Sequence, residues 1–492
     1  MAAKTPQKNG AAETIAIIGS GFGGIGLAWH LKQAGIEDFT LFEKASELGG
    51  TWRENTYPGC GCDVASHLYS YSFEPHYPWR FRYGKQAEIL EYLNHVADKY
   101  DLRKHIRFNS EVEGAKFDAK RGLWSAQLKG GETHASRFLT TAVGQLSRPQ
   151  YANVPGIDRF KGKSFHSAEW DHDYDLNGKH VAVIGTGASA VQFVPEIVKQ
   201  VRKLHLFQRT PGWTIPKVDR EFKPTERKLL DKAPLIHDLD RQRIFAITES
   251  VGYAYQGHEW ALKAVTALAK SHLHRQISDP TLRKKLTPDY PVGCKRILLS
   301  NDWYPAISQL NVELVTDHID EITETGVVTK DGYERKVDTI IHGTGFAATE
   351  LLAPMEITGL RGKKLSTAWK NGAEAYMGMS THGFPNLFML YGPNTNLGSG
   401  SIIYMLECQQ RYIVQMLQTQ QSQGWKYAHA SAEAQQAFVD EIQQRTEQST
   451  YAGDCQSWYK TADGRNTNTW VGSQREFKKR SAEIQLKDYE LV

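Results

Sequence analysis

A glycine pattern that occurs twice constrains this 492-residue chain most strongly. Each copy sits between a short β-branched run and a helix-forming stretch. Residues 15–18 run into Gly19-Ser-Gly-Phe-Gly-Gly24, a helical stretch over 25–33 follows, and 39–42 reads as the next parallel strand. Residues 181–184 run into Gly185-Thr-Gly-Ala-Ser-Ala190, a helix, and a strand over 204–207. Each copy is a βαβ unit of the ~30 residues that a dinucleotide fold needs. The first glycine permits the tight turn, the second lets backbone approach a pyrophosphate, and the third allows helix and strand to pack closely. The phosphates then sit at the positive helix N-terminus. Gly19, Gly21 and Gly24 fill these places in the first copy, and Gly185, Gly187 and Ala190 in the second, with Thr186 and Ser189 between them. The fold class expected is α/β, with two Rossmann-like dinucleotide-binding domains and an inserted helical subdomain.

The ends of the second strands distinguish the two ligands. Glu43 lies 24 residues after Gly19, where a carboxylate accepts bonds from the ribose hydroxyls of an unphosphorylated adenosine. That predicts FAD. Arg209 lies 24 residues after Gly185, where a guanidinium grips a 2'-phosphate that a carboxylate would repel. That predicts NADPH, with Thr210 next in the chain. Aligning the Leu-Phe pairs of the two strands puts Gln208 opposite Glu43 instead. Neither register offers an acid, so the choice of NADPH over NADH survives both.

The length exceeds the ~250 to 300 residues at which single cores stop growing, and punctuation along the chain suggests where it divides. The sequence predicts a first FAD segment over 13–148, a first NADP segment over 149–219 and a helical insertion over 220–290. A second NADP segment follows over 291–340, and 341–492 completes the FAD domain and adds a C-terminal segment for substrate and cofactor. A formal charge of +4 from 59 basic and 55 acidic residues gives no concentrated basic stripe, so no nucleic-acid partner is expected. No run of ~18 apolar residues predicts a spanning helix, although peripheral membrane contact is left open. A cytoplasmic location is expected, and oligomeric state is not legible. Five cysteines, Cys60, Cys62, Cys294, Cys408 and Cys455, are expected to be structural thiols, and no metal site is expected.

Two longer patterns carry more specific information. Phe160-Lys-Gly-Lys-Ser-Phe-His166-Ser-Ala-Glu-Trp170-Asp171 resembles the fingerprint of type I Baeyer-Villiger monooxygenases, class B flavin-dependent enzymes, with Phe160, Gly162, His166 and Trp170 at its spacing. Gly50-Thr-Trp52, Tyr57-Pro-Gly59 and Asp63 resemble that family's second fingerprint. The resemblance implies a monooxygenase that uses FAD, NADPH and molecular oxygen to convert a small organic ketone into an ester or lactone. It implies a C4a-peroxyflavin whose anion adds to the carbonyl, and Arg296 matches the family's active-site arginine. An arginine there would stabilise the anionic tetrahedral adduct, and Asp63 would orient the guanidinium. Lys295 resembles an added NADP contact. Thr51, Trp52 and Tyr69 resemble flavin-lining positions, and Trp458 resembles a tryptophan near the nicotinamide. His166 and Trp170 read as coupling elements between domains rather than as proton-transfer groups.

Two other readings share the nucleotide folds. A flavin enzyme oxygenating sulfur or nitrogen needs no charge holder, so Lys295-Arg296 favours ketone oxidation. A non-catalytic dinucleotide sensor would keep the fold without the chemistry. A flavin disulfide reductase needs a redox cysteine pair that Cys60-Gly-Cys62 does not supply.

Overall fold

The computed structural model describes residues 13–453, 459–461 and 463–492. Two separate sheets carry the two glycine patterns, and each uses strands from distant parts of the chain.

The first sheet begins with β1 (Glu13–Ile18), β2 (Phe39–Phe42) and β3 (Ile106–Arg107), all parallel. It continues through a meander of β4 (Val112–Asp118), β5 (Leu123–Leu128) and β6 (Thr133–Thr141), and β6 pairs with β1. Ile15, Ala16 and Ile17 of β1 are all fully buried, because helices or loops cover both faces of such a parallel core. Helix α1 (Phe22–Gln33) follows the first glycine turn, and helix α2 (Thr51–Glu54) starts at the Gly-Thr-Trp motif. Helix α3 (Gln86–Lys99) packs on both of these helices.

The second sheet is wholly parallel. β7 (Lys163–His166), β8 (His180–Ile184) and β9 (Lys203–Phe207) come first, with helix α4 (Ala188–Ile197) between the last two. The short strands β10 (Thr214–Ile215) and β11 (Leu298–Leu299) pair with each other on either side of a helical excursion. That excursion consists of α5 (Pro224–Lys232), α6 (Pro234–Tyr255), α7 (Glu259–Gln276) and α8 (Pro280–Leu286). β12 (Val312–Val315) and β16 (Thr339–His342) complete the sheet in the order β12-β9-β8-β16-β7. Between them lies an antiparallel triplet, β13 (Ile319–Ile322), β14 (Gly326–Thr329) and β15 (Glu334–Lys336).

The chain then returns to the first sheet, where β17 (Glu356–Thr358) joins β4 and β18 (Leu387–Met389) joins β6. The helix Ile402–Gln423 packs on α1. The two crossings between sheets lie side by side: Gln150 N–H donates to Gly345 O (2.9 Å) and Ala347 N–H to Arg148 O (3.0 Å).

One cysteine expectation needs correction. Cys294 is disulfide-bonded, and an odd cysteine count gives no warning of a single bridge; Cys455 lies outside the described residues. Cys60, Cys62 and Cys408 are buried and free.

Candidate functional site

Both glycine turns open into one continuous cleft of about 1540 Å³. At the first, Gly19 adopts φ +104°, and a Cβ there would lie 2.6 Å from Ala142 O. A Cβ on Gly24 would lie only 2.0 Å from Gly19 O, so the third position admits no side chain. Gly21 and Gly50 face each other across the turn, where a Cβ on Gly50 would stand 3.2 Å from Gly21 Cα. The result is bare backbone at a helix N-terminus, a cradle suited to a pyrophosphate.

The second turn solves the same problem differently. Gly185 has φ +105°, and a Cβ on it would meet Gly343 O at 2.4 Å. Here the third position carries the Ala190 methyl, and the space it needs comes from across the turn. A Cβ built on Gly343 would approach that methyl to 3.3 Å.

Strand pairing resolves the register left open by sequence. Ile18 pairs with Phe42, and Ile184 pairs with Phe207. Gly19 N–H donates to Phe42 O and Gly185 N–H to Phe207 O. Gln208 is therefore the counterpart of Glu43, and Arg209 stands one residue beyond it. Gln208 is buried, with its amide donating to Lys285 O at 2.8 Å. Arg209 is exposed on the cleft wall. Beside it, Lys295 Nζ donates to Thr210 Oγ1 at 2.5 Å and lies over the Tyr290 ring. Burial and then the neighbouring Arg209 charge lower the Lys295 pKa.

Glu43 is buried and firmly held. Ser20 donates to Oε2 through its backbone N–H (3.0 Å) and its hydroxyl (2.8 Å), while Ala45 N–H donates to Oε1. Arg53 stands 3.2 Å from Oε1. The hydroxyl is a rotor, so its lone-pair site on the carboxylate can be exchanged for a ligand's hydroxyl. Thr51, Trp52 and Tyr69 line the same lobe, and Trp52 Nε1–H donates to Tyr69 Oη at 3.1 Å.

Arg296 lies where the two lobes meet, beside Asp63 and Tyr391 on the cleft wall. Burial is the largest influence and opposes its charge, but the Asp63 carboxylate together with Tyr459, Tyr255 and Tyr391 more than offsets it, so its pKa rises. Among the described residues no ion pair within 4 Å joins Asp63 to this guanidinium, and the carboxylate acts on Arg296 through its charge. Asp63 Oδ1 instead accepts from Lys217 Nζ at 3.1 Å, and both side chains are nearly buried. Lys217 also donates to Cys62 O at 2.8 Å and lies over the Tyr83 ring. Desolvation is the largest influence and pulls its pKa down, but the charge and hydrogen bond of Asp63, joined by Asp219 and Cys62, together raise it. No motif marks Lys217, because its partner is 154 residues away.

The two long fingerprints meet across the domain junction. A Cβ on Gly59 would lie 2.6 Å from Gln192 O on α4. The Gln192 amide accepts from Tyr57 Oη (3.0 Å) and Gly61 N–H, and donates to Gly61 O. Trp170 packs on Phe165 and on Phe193 of α4, and Phe193 packs on Tyr57. Sequence reasoning missed Gln192. A Cβ on Gly162 would collide with Asp338 O and the Phe160 ring, both at 2.5 Å. His166 is fully buried at the end of β7; its Nδ1 accepts from Ala168 N–H, and its ring packs near Tyr151 and Phe346 of the two crossings. Desolvation holds its pKa down. Trp458 lies outside the described residues.

Burial pushes the Cys60 and Cys62 thiols up to about 12, so neither is a ready thiolate for disulfide exchange.

Known proteins share this arrangement. The family model for flavin-binding monooxygenase-like proteins matches residues 12–239. A Baeyer-Villiger monooxygenase from Pseudomonas aeruginosa is 42% identical over 97% of this chain and 91% of its own. One from Streptomyces coelicolor is 43% identical over 97% of this chain and 92% of its own. The crystal structure of OTEMO in complex with FAD and NADP superposes with a TM-score of 0.86 at 28% identity, covering 98% of this chain and 99% of that one. With two dinucleotide cradles facing one arginine, and with relatives this similar along nearly its whole length, the chain belongs to the Baeyer-Villiger monooxygenases.

Proposed function

We propose that Gly19, Gly21, Gly24 and Glu43 hold FAD, that Gly185, Gly187, Ala190, Arg209, Thr210 and Lys295 hold NADPH, and that Arg296 serves the chemistry between them. One observation carries the reading: both cradles open into a single cleft, and its wall carries a permanently charged guanidinium where the two lobes meet. Bound flavin supplies the electron transfer from NADPH and the activation of O₂.

The protein's own contribution is binding and electrostatics. The first turn presents backbone N–H groups to a pyrophosphate, and Glu43 accepts from a ribose. Arg209 and Lys295 together form a cationic wall for a 2'-phosphate, with Arg209 as the planar, bidentate partner. When a ketone carbonyl is attacked, negative charge develops on its oxygen, and Arg296 offers preorganised donors to that charge. Asp63 and Lys217 act behind it as a neutral pair that fixes the loop carrying Asp63. His166 and Trp170 couple the domains and transfer no proton.

We assign 13–148 and 341–492 to the FAD domain, 149–219 and 291–340 to the NADP domain, and 220–290 to the helical insertion. The substrates are O₂ and a small organic ketone, the enzyme works in the cytoplasm, and sulfides are a secondary class. NADPH should bleach the yellow holoenzyme without air. A ketone panel under ¹⁸O₂ should then yield esters carrying one labelled oxygen, whereas hydrogen peroxide alone across the panel would overturn the assignment. Sulfoxides without esters would favour the sulfur-oxygenating reading.

A further inference from the structure

Outside the cleft, three side chains converge where the start of α6 meets the loop that follows Tyr69. His76 Nε2 lies 3.0 Å from Asp238 Oδ1, and His237 Nδ1 lies 3.7 Å from the same oxygen. The His76 and His237 rings stand 5.0 Å apart at an interplanar angle of 83°. One ligand atom from each of the three falls within 4.8 Å of the others. Donors bound at ~2.0–2.2 Å around a tetrahedral zinc ion stand about 3.3 to 3.6 Å apart. The two separations from Asp238 bracket that value, and a rotation of the exposed His76 ring would close the third.

His237 is the side chain that asks for a ligand. It is only 3% exposed, and neither of its ring nitrogens makes a hydrogen bond among the described residues. A buried imidazole carries an N–H and a lone pair, and both are costly to leave unused. Its ring neighbours do not relieve it: the His67 ring lies 4.0 Å away, but His67 Nδ1 is engaged by Asp240 at 2.9 Å. Asp238 supplies the charge. Among the described residues its carboxylate has only histidines within 4 Å, whereas that of Asp240 is matched by Arg82 at 3.3 Å and Arg243 at 3.1 Å.

Two imidazoles and one carboxylate suit a divalent transition ion, whereas calcium and magnesium take oxygen ligands. The His76 and Asp238 side chains are each 45% exposed, so an ion can enter from solvent and keep water as its fourth ligand. A second trio, His382, His429 and Glu490, also converges. There both Nδ1 atoms already lie against Ala430 O, at 3.2 and 3.1 Å.

We propose that His76, His237 and Asp238 form a binding site for one divalent transition ion of the zinc class, which clips α6 to the loop carrying His76. Farther along α6, Arg241 donates to His67 O at 2.5 Å and to Ser70 O at 3.1 Å, on either side of Tyr69 in the cleft wall. The ion would therefore brace the helical insertion against the segment that lines the cleft. His76 is 162 residues from Asp238, so no ligand spacing marks the set in the sequence.

Untagged, FAD-loaded enzyme should be stripped with EDTA, desalted and titrated with Zn²⁺ by calorimetry near neutral pH. One equivalent is expected to bind and to raise the unfolding temperature. Zinc-edge X-ray absorption should show nitrogen and oxygen donors at ~2.0–2.2 Å with imidazole scattering. His76→Ala and Asp238→Asn should each bind at least ~tenfold more weakly and lose the thermal shift. Both should keep flavin and NADPH bleaching, which shows that they are folded, and His382→Ala should bind like the parent. No stoichiometric binding by the parent, undiminished binding by either variant, or a sulfur shell at ~2.3 Å would overturn the proposal. A loss confined to His382→Ala would also overturn it, moving the ion to the second trio.

Discussion

Lys217 shows how an active-site charge can depend on a residue that no motif marks. Its ammonium satisfies Asp63 and the Cys62 carbonyl together, so removing it strands a nearly buried carboxylate beside Arg296. Such a carboxylate either draws in the guanidinium or shifts its loop. For Lys217→Met we expect retained FAD and an unchanged KM for NADPH, with ester formation falling ~10 to 100-fold as positioning is lost. Hydrogen peroxide should take up the missing NADPH equivalents. Lys217→Arg should restore most of the coupling, and a failure to restore it would mean that the lysine acts by shape alone. Arg296→Ala should keep the flavin but lose at least ~100-fold in esters, the cost of one electrostatic donor; product yield per NADPH measures it. Arg296 was legible because it sits in a recognisable motif. Its setting was not, because the Lys217 contact spans 154 residues and depends on two domains meeting.

At the scale of elements, the two turns are variations on one steric rule, and the sequence conveyed most of it. Strands over 39–42, 181–184 and 204–207 were expected within a residue of where they occur, since short apolar runs placed around a glycine turn and helix allow little else. Register was harder, because counting from the glycine and aligning the Leu-Phe pairs differ by one residue, and only the pairing of Ile184 with Phe207 decides between them. The same geometry separates two matched substitutions. Gly24→Ala drives a methyl into Gly19 O and should cost FAD binding, read as colourless protein, while Ala190→Gly should leave NADPH binding nearly unchanged. Arg209→Ala should abolish the preference for NADPH over NADH, read as the ratio of kcat/KM values. Gln208→Ala should leave that ratio largely intact, because its amide is directed at Lys285 O.

Across the whole molecule, the sequence indicated two nucleotide folds and a helical insertion but not how they dock. Contacts such as that of Gln192 with Tyr57 and the Gly61 backbone join residues more than 130 positions apart, and no local pattern encodes them. Gly59→Val should wedge the two lobes apart at α4. The expected outcome is normal flavin content with slowed anaerobic reduction by NADPH, followed by stopped-flow absorbance. The adjacent crossings at 148–151 and 343–347 carry a mechanical consequence. A single tether would let the second domain twist freely, but two strands bonded to each other act as the leaf of a hinge. They allow swinging about one line and resist sliding or rotation across it. An opening of the cleft would turn about that line, so the walls that carry Gly19 and Gly185 would part and meet again in the same register.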